Sequence, residues 1–538
     1  MDSIKKIVSK AVDQAEKNIA TGTMVSAGAI ITASKPNQAN ELVAFVVERV
    51  ALFHNENKDV FAQDKTTNIV RPIEGRQFRD WLTSSFYEFT DKSVRDQSFR
   101  EALSTLSGIG RFKGELHDVH VRVALQDDCY YLDLCQPSNN RVVKITPGHW
   151  DIIESNTVRF VRAAPMQSLP DPIKGGDISK LWKICNIPKS SRLLVLAWMG
   201  ETLRPDTPYP VLEILGEQGT AKSTTQTALR RVIDPSSSDL RSIPKCIDDV
   251  FVGAAVNHIM SYENVSYLSQ PMQDACCIIA TGGGYAKRKL YSDAEECVIQ
   301  TKNPIIMNGI AAIVTAQDLI DRAISVDLPL INKRTETTIL WSDFEHWHGE
   351  ILGGLLDIIA KALQLLPAVN LPKGENPRLV EFVRFGMAIA EATGKKGLDF
   401  IKQFNTSRQE AIARTIDASP VASSLIDWFE YQGKVSMTLS AKELFMEVEK
   451  RRPQGTEAWP KSAKGFADAL RRAAPALRQL GIECQCLGKQ GSYVKWKIFQ
   501  GEKLPDHSLQ CLDVLPEQDI KTLKTSVQEI SSQYGDLM

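Results

Sequence analysis

Val211-Leu-Glu-Ile-Leu-Gly-Glu-Gln-Gly-Thr-Ala-Lys-Ser-Thr224 runs from an apolar segment, through a loop containing Gly216 and Gly219, into a lysine and two hydroxyl residues. Val211 to Leu215 reads as a buried strand, and Thr225 to Val232 continues as a helix. Strand, glycine loop, Lys-Ser and helix come in the order a phosphate cradle requires. The loop must turn its backbone N–H groups inward, and a Cβ at the tightest points would block that turn. In such a cradle, Gly216, Gln218, Gly219, Thr220, Ala221, Lys222, Ser223 and Thr224 surround the phosphates. Lys222 neutralises the β- and γ-phosphates, and the Ser223 hydroxyl ligates Mg²⁺. Ala221 stands where a glycine usually precedes the lysine. A single methyl there reads as a mild change, with Gly219 supplying the sharp turn. The competing reading is a chance glycine-rich turn between a strand and a helix.

The totals narrow the class. The 538 residues are enough for about three or four domains. Apolar residues make up 43% and charged residues 24%, with a formal net charge of −1, so any contact with DNA must come from local basic clusters. The start, Met1-Asp-Ser-Ile-Lys-Lys, lacks the apolar stretch of a signal peptide, and no run of apolar residues suggests a membrane span. The 10 cysteines form no CxxC pair and read as reduced thiols, which points to a cytoplasmic protein. The two histidines of His346-Trp-His348 read as surface or packing residues, not as a metal site.

Along the chain, residues 1–165 read as an α+β N-terminal domain, and Pro165 to Gly176 as a linker. Glu41 to Phe53 is apolar at both helix and strand spacings. Asp133 stands alone in a strand and reads as a surface residue. Without a paired acid it does not support polymerase-type priming chemistry. Residues 166–335 alternate strands with helices, as in a parallel sheet covered by helices. Residues 336–418 read as a helical lid. Residues 419–502 run as three helices and then a strand pair, the order of a winged helix, and 503–538 is a polar tail. Lys464, Arg471 and Arg472 on the third of those helices are candidates for DNA phosphate contact. The alternative is a solvated basic face on a docking domain.

Four further features follow the glycine loop. Asn257 to Val265 is a strand ending in Glu263, whose carboxylate can hold the Mg²⁺ water shell opposite Ser223. Asn264 follows where many ATPases carry a second acid, so Glu263 either serves both metal and water or shares the task with a residue elsewhere. Asn303 to Ile310 is a strand with Asn308 at its tip, an amide able to meet the γ-phosphate or the attacking water. Arg322 lies between a short helix and a strand. It can reach a neighbouring subunit's γ-phosphate, or simply pair with Asp318 or Asp321. Ala280 to Asp293 sets three glycines before Lys287, Arg288 and Lys289, with Tyr285 and Tyr291 flanking. The cations can meet phosphates and the tyrosines can stack on bases, or the segment is a solvated basic turn.

Taken in this order and spacing, these features resemble the superfamily III helicases of the AAA+ class, and more narrowly the poxvirus-type and phage- or mobile-element-encoded primase–helicase ATPases. The resemblance covers roughly residues 178 to 335 well and the N-terminal domain poorly. It implies an α/β P-loop NTPase core, AAA+-like, with a helical lid and a C-terminal winged-helix domain. It also implies ATP and Mg²⁺ as cofactors and a homo-hexameric or similar ring around single-stranded or double-stranded DNA. Lys222 and Ser223 take the Walker A roles, Glu263 Walker B, Asn308 sensor 1, and Arg322 an arginine finger acting between subunits. Lys287, Arg288 and Lys289 fall in the pore-hairpin segment. Arg378 in the lid is a weak candidate for a second nucleotide-sensing arginine. The expected function is ATP-driven DNA unwinding in replication of a phage, plasmid or integrated mobile element, with a primase as a possible partner. The rival expectations are a non-unwinding AAA+ ATPase switch (a loader, initiator or defence sensor) and a DNA-binding regulator whose nucleotide pocket is only structural.

Overall fold

A computed structural model describes residues 37–501 apart from 156, 289–295, 333, 418, 453–458 and 491–492. It is a mixed α/β fold that separates into two compact units, one of residues up to 65 with 71–117, the other of 66–70 with 118 onward. The expected boundary near residue 165 is therefore not where the chain parts. Strands β5 (Val123–Gln126), β6 (Cys129–Asp133), β7 (Arg141–Thr146) and β8 (His149–Glu154) belong to the second unit. The reason is a shared core: Leu132, Val143, Ile145 and Trp150 pack in one cluster with Leu194, Leu355 and Phe382. Short-range pattern cannot show which core a sheet joins.

In the first unit, the ambiguous run is a helix followed directly by a strand. Helix Gln38–Arg49 starts at Asn37, whose side chain accepts from the Ala39 amide, and it buries Leu42, Phe45 and Val46. Strand β1 (Val50–His54) begins at the next residue and buries Val50 and Phe53. Both spacings were real, one after the other. With β2 (Val60–Asp64), β3 (Val70–Pro72) and β4 (Glu115–Leu116), the sheet order is β3-β2-β1-β4. Helices Arg76–Thr90 and Asp96–Lys113 add Phe78, Leu82, Phe86, Phe99 and Leu106 to the core.

The second unit is organised on β9 (Val211–Leu215), with β10 (Met260–Tyr262), β13 (Ile305–Gly309) and β14 (Ala323–Asp327). The order is β10-β13-β9-β14, and every pairing is parallel. The strands are buried on both faces, as parallel strands covered by helices must be. Leu212 and Ile214 face one cluster, with helices Arg192–Glu201 and Thr337–Leu365, whereas Val211 and Leu215 face the other. Glu213 is buried too, and it accepts from the amides of Ile313 and Val314 and from the Ser325 hydroxyl. Between β10 and β13 an antiparallel hairpin is inserted, β11 (Gly283–Arg288) with β12 (Glu296–Thr301). Helix Thr337–Leu365 is apolar enough by composition to cross a membrane, but Phe344, Ile351, Leu352, Leu355 and Leu356 lie in the protein core.

Asp133 is not a surface residue. It is fully buried, paired with Arg162 at 2.7 Å, and it accepts from the Cys135 amide. Nearby, buried Arg122 donates to Asp234 at 2.9 Å and to the carbonyls of Asp133 and Gln167. Asp234 directly follows helix Lys222–Ile233, so this network ties the β5–β8 sheet to the end of that helix.

After Asp417 come helices Pro420–Tyr431, Ala441–Glu449 and Ala463–Gln479, with β15 (Met437–Ser440), β16 (Ile482–Gln490) and β17 (Tyr493–Gln500) in the order β15-β17-β16. Strand β15 was not legible in the sequence. It is four residues long and ends on Ser440, which also caps the next helix in a capping box with Glu443. Trp428, Leu470, Leu477 and Trp496 continue the apolar cluster that begins at Val211 and Leu215. The polar tail at 503–538 lies outside the described residues.

Candidate functional site

The site forms where the C-terminal ends of β9, β10, β13 and β14 meet, the edge at which open parallel sheets present their loops. Trp198 anchors the approach to β9 by donating from Nε1 to the Pro210 carbonyl at 2.9 Å. The loop after β9 is tight. Gly216 has φ +149°, and a Cβ there would come within 2.8 Å of Thr220 Oγ1 and 3.0 Å of the Leu328 carbonyl. Gly219 has φ +91°. Ala221 is also left-handed, at φ 58° and ψ 36°. The turn expected at Gly219 therefore falls on Ala221 as well, whose methyl carries strain of about 1 kcal/mol.

Lys222 opens helix Lys222–Ile233, and its Nζ donates to the carbonyls of Gly216 and Glu217, both at 2.8 Å. The ammonium therefore closes the loop on itself, and partial burial lowers its pKa. Thr220 is buried and donates to the Glu217 carbonyl at 3.0 Å. Gln218 is exposed and Thr224 half-buried. The first amides of the helix have no intrahelical acceptor, which leaves donors facing the loop.

Ser223 and Glu263, 40 positions apart in the chain, are brought together, with Ser223 Oγ 3.4 Å from Glu263 Oε2. Two oxygens so placed fit a Mg²⁺ held directly by one and through its water shell by the other. Among the described residues no cluster of three or more His, Cys, Asp or Glu side chains forms a metal site.

Asn308 is fully buried, and both ends of its amide are engaged. Nδ2 donates to Gln226 Oε1 at 2.6 Å, and Oδ1 accepts from the Asn264 amide at 3.1 Å. Asn264 has φ 51°, and the bond its amide donates to Asn308 fixes this left-handed residue beside Glu263. Gln226, one turn beyond Ser223, is the hub: its Nε2 donates to Ser261 Oγ at 2.9 Å and to the Tyr262 carbonyl at 3.0 Å. Reading the sequence missed Gln226. Its only signal was a polar residue on the face of an otherwise buried helix.

Arg322 does not approach its own loop. Its carbonyl accepts from the Val211 amide at the opposite end of the sheet. At about 3.3 Å per residue, β9 puts roughly 15 Å between them. The side chain pairs with Asp318 and also donates to the Asp318 carbonyl at 2.7 Å. Arg378 meets the same carboxylate at 2.9 Å, which places it away from the loop. The arginine pair holds the Asp318 carboxyl below its usual range, the Arg322 bond first.

Lys287 and Arg288 lie on β11, opposite Cys297 and Glu296. Lys289 and Tyr291 lie outside the described residues. Tyr285 is not free to stack on a base: its ring lies 4.4 Å from Phe251, and its hydroxyl bonds Asp248. Lys464, Arg471 and Arg472 are exposed on helix Ala463–Gln479, with Arg471 paired to Asp468 at 2.5 Å. They do not join the loop site.

No curated protein matches. Among solved structures, two of the C-terminal region of NrS-1 are similar at 12% identity, each covering 87% of this chain and 100% of that chain, with TM-scores of 0.35 and 0.36. A third is similar at 13% identity, with a TM-score of 0.36, covering 85% of this chain and 98% of that one. Residues 178–407 match the family described as the actinomycete integrative conjugative element replication protein. Residues 421–503 match the C-terminal domain of the same replication protein. Over these two segments the chain is a replication protein of the integrative-conjugative-element kind.

Proposed function

We propose that this replication protein is an ATP- and Mg²⁺-dependent DNA helicase of the superfamily III, AAA+ kind, acting in the cytoplasm as a hexameric or similar ring. The observation that carries the reading is the meeting of Ser223 and Glu263 beside a glycine loop closed by Lys222. In this reading Lys222 and the amides at the start of its helix bind the phosphates, while Ser223 and Glu263 hold Mg²⁺. Asn308 acts through Gln226 and Asn264, and it would have to leave one of them to touch a phosphate itself. Arg322, remote from its own loop, would serve a neighbour's pocket after parting from Asp318. Lys287 and Arg288 on the inserted hairpin would grip the translocating strand, and Lys464, Arg471 and Arg472 on a winged-helix domain would contact duplex phosphates.

The test is nucleotide turnover and strand separation by the full chain. Lys222→Ala and Arg322→Ala should each remove most turnover, and mixing the two should restore part of it, because each supplies what the other lacks. Undiminished DNA-dependent activity in Lys222→Ala would refute the helicase reading. Robust turnover with no unwinding on any forked or tailed DNA would point instead to a non-unwinding switch.

A further inference from the structure

The segment after β14 returns to the glycine loop. Leu328 donates its amide to the Leu215 carbonyl at 2.8 Å. One residue on, the Pro329 carbonyl accepts from Asn186 Nδ2 at 2.7 Å, and the same Nδ2 donates to the Thr220 carbonyl at 3.0 Å. The backbone amide of Asn186 also donates to the Thr225 hydroxyl oxygen at 3.1 Å. One residue thus clips the loop, the helix behind it and the returning segment together, its side chain holding the loop and the segment and its backbone amide the helix. Arg334 comes at the end of this segment. Its guanidinium lies against the loop, where a Cβ added to Gly219 would be 3.1 Å from Nη2. Arg334 is exposed, and among the described residues no carboxylate pairs with it, although the arginines at 322, 378, 408 and 414 all have acidic partners. A guanidinium held beside amides that already face a loop is suited to bidentate binding of phosphate oxygens.

We propose that Arg334 binds the phosphates of a nucleotide held in the glycine loop of its own chain. The proposal rests on the nucleotide reading above and adds a residue to it. Arg322 and Arg334 bracket β14 at its two ends, so one strand would present one arginine to its own pocket and the other to a neighbour's. Asn186 is then a positioning residue, which sets the returning segment against the loop.

The experiment measures equilibrium binding of a fluorescent, non-hydrolysable ATP analogue and of the matching ADP to the full chain. Arg334→Ala should weaken the ATP analogue about tenfold or more, the loss of a charge-assisted phosphate contact. It should weaken ADP less, and Arg334→Lys should recover part of the loss. Melting without nucleotide should be unchanged, because the side chain is exposed. Mixing Arg334→Ala with Lys222→Ala should restore no turnover, since both defects lie in the pocket of the chain that carries them. Wild-type affinity in Arg334→Ala, or turnover restored on mixing, would overturn the assignment while leaving the nucleotide reading intact. A wild-type chain that binds neither nucleotide would remove the reading beneath it as well.

Discussion

Gln226 is the side chain whose removal should be felt farthest from its own position. Replacing it with leucine keeps the volume and removes every polar contact. The Tyr262 carbonyl loses a donor at 3.0 Å, Ser261 Oγ loses one at 2.9 Å, and Asn308 Nδ2 loses its acceptor at 2.6 Å. All of these groups are buried. An unsatisfied buried group costs about 1–3 kcal/mol, so three such losses would sum to about 3–9 kcal/mol and, after local relaxation, amount to about 2–5 kcal/mol. That cost falls on β10 and β13, because they are what Gln226 joins to the loop helix. Hydrogen exchange reads it directly. Amides at 260–265 and 305–309 should exchange faster by roughly 30- to 3,000-fold, at about 1.4 kcal/mol per decade, with the first unit unchanged. Asn308, freed at one end, also loses its hold on Asn264, so nucleotide turnover should fall along with protection. Protection of β10 and β13 within threefold of wild type in Gln226→Leu would refute the idea that this amide holds the acid strand to the loop.

Other perturbations follow from the same contacts. Ala221→Gly should relieve the left-handed strain at the loop and raise stability by up to about 1 kcal/mol, partly offset by glycine's freedom in the unfolded chain; a lower midpoint in urea would contradict the strain. Asp234→Ala leaves Arg122 buried without its carboxylate and should destabilise the second unit by about 3–5 kcal/mol in thermal or urea unfolding. Burial lowers His258 and His348 to about 4 each, so the fold favours their neutral forms. That stabilisation is complete above pH 6.5 and is lost as pH falls toward 4, on the order of 3 kcal/mol per histidine; a flat stability profile between pH 7 and 4.5 would be inconsistent with it. Replacing Lys287 and Arg288 together by alanine should abolish strand separation while leaving basal nucleotide turnover, as judged by unwinding and phosphate-release assays side by side.

The linear order of residues determined the strand, glycine loop, Lys-Ser and helix, because each depends on neighbours within a few positions. The near-continuous apolar run that buries Val211 to Leu215 and the apolar period of the following helix are local properties too. Spacing alone could also propose that Glu263 stands near Ser223, since a strand tip 40 residues on has few places to go in a parallel sheet. Tertiary structure decided what lies between and behind these residues. Gln226 meets Ile306 across 80 positions, and Asn186 meets Pro329 across 143. Such bonds leave no periodic trace, because a single amide needs only one partner, wherever the fold brings it. The same holds for burial of charge. Asp133 reads as a surface acid until Arg162 is seen beside it, and the sheet that carries it reads as N-terminal until its apolar face is found in the second unit's core. Local pattern says which face of an element is apolar, but only the assembled chain says what that face meets.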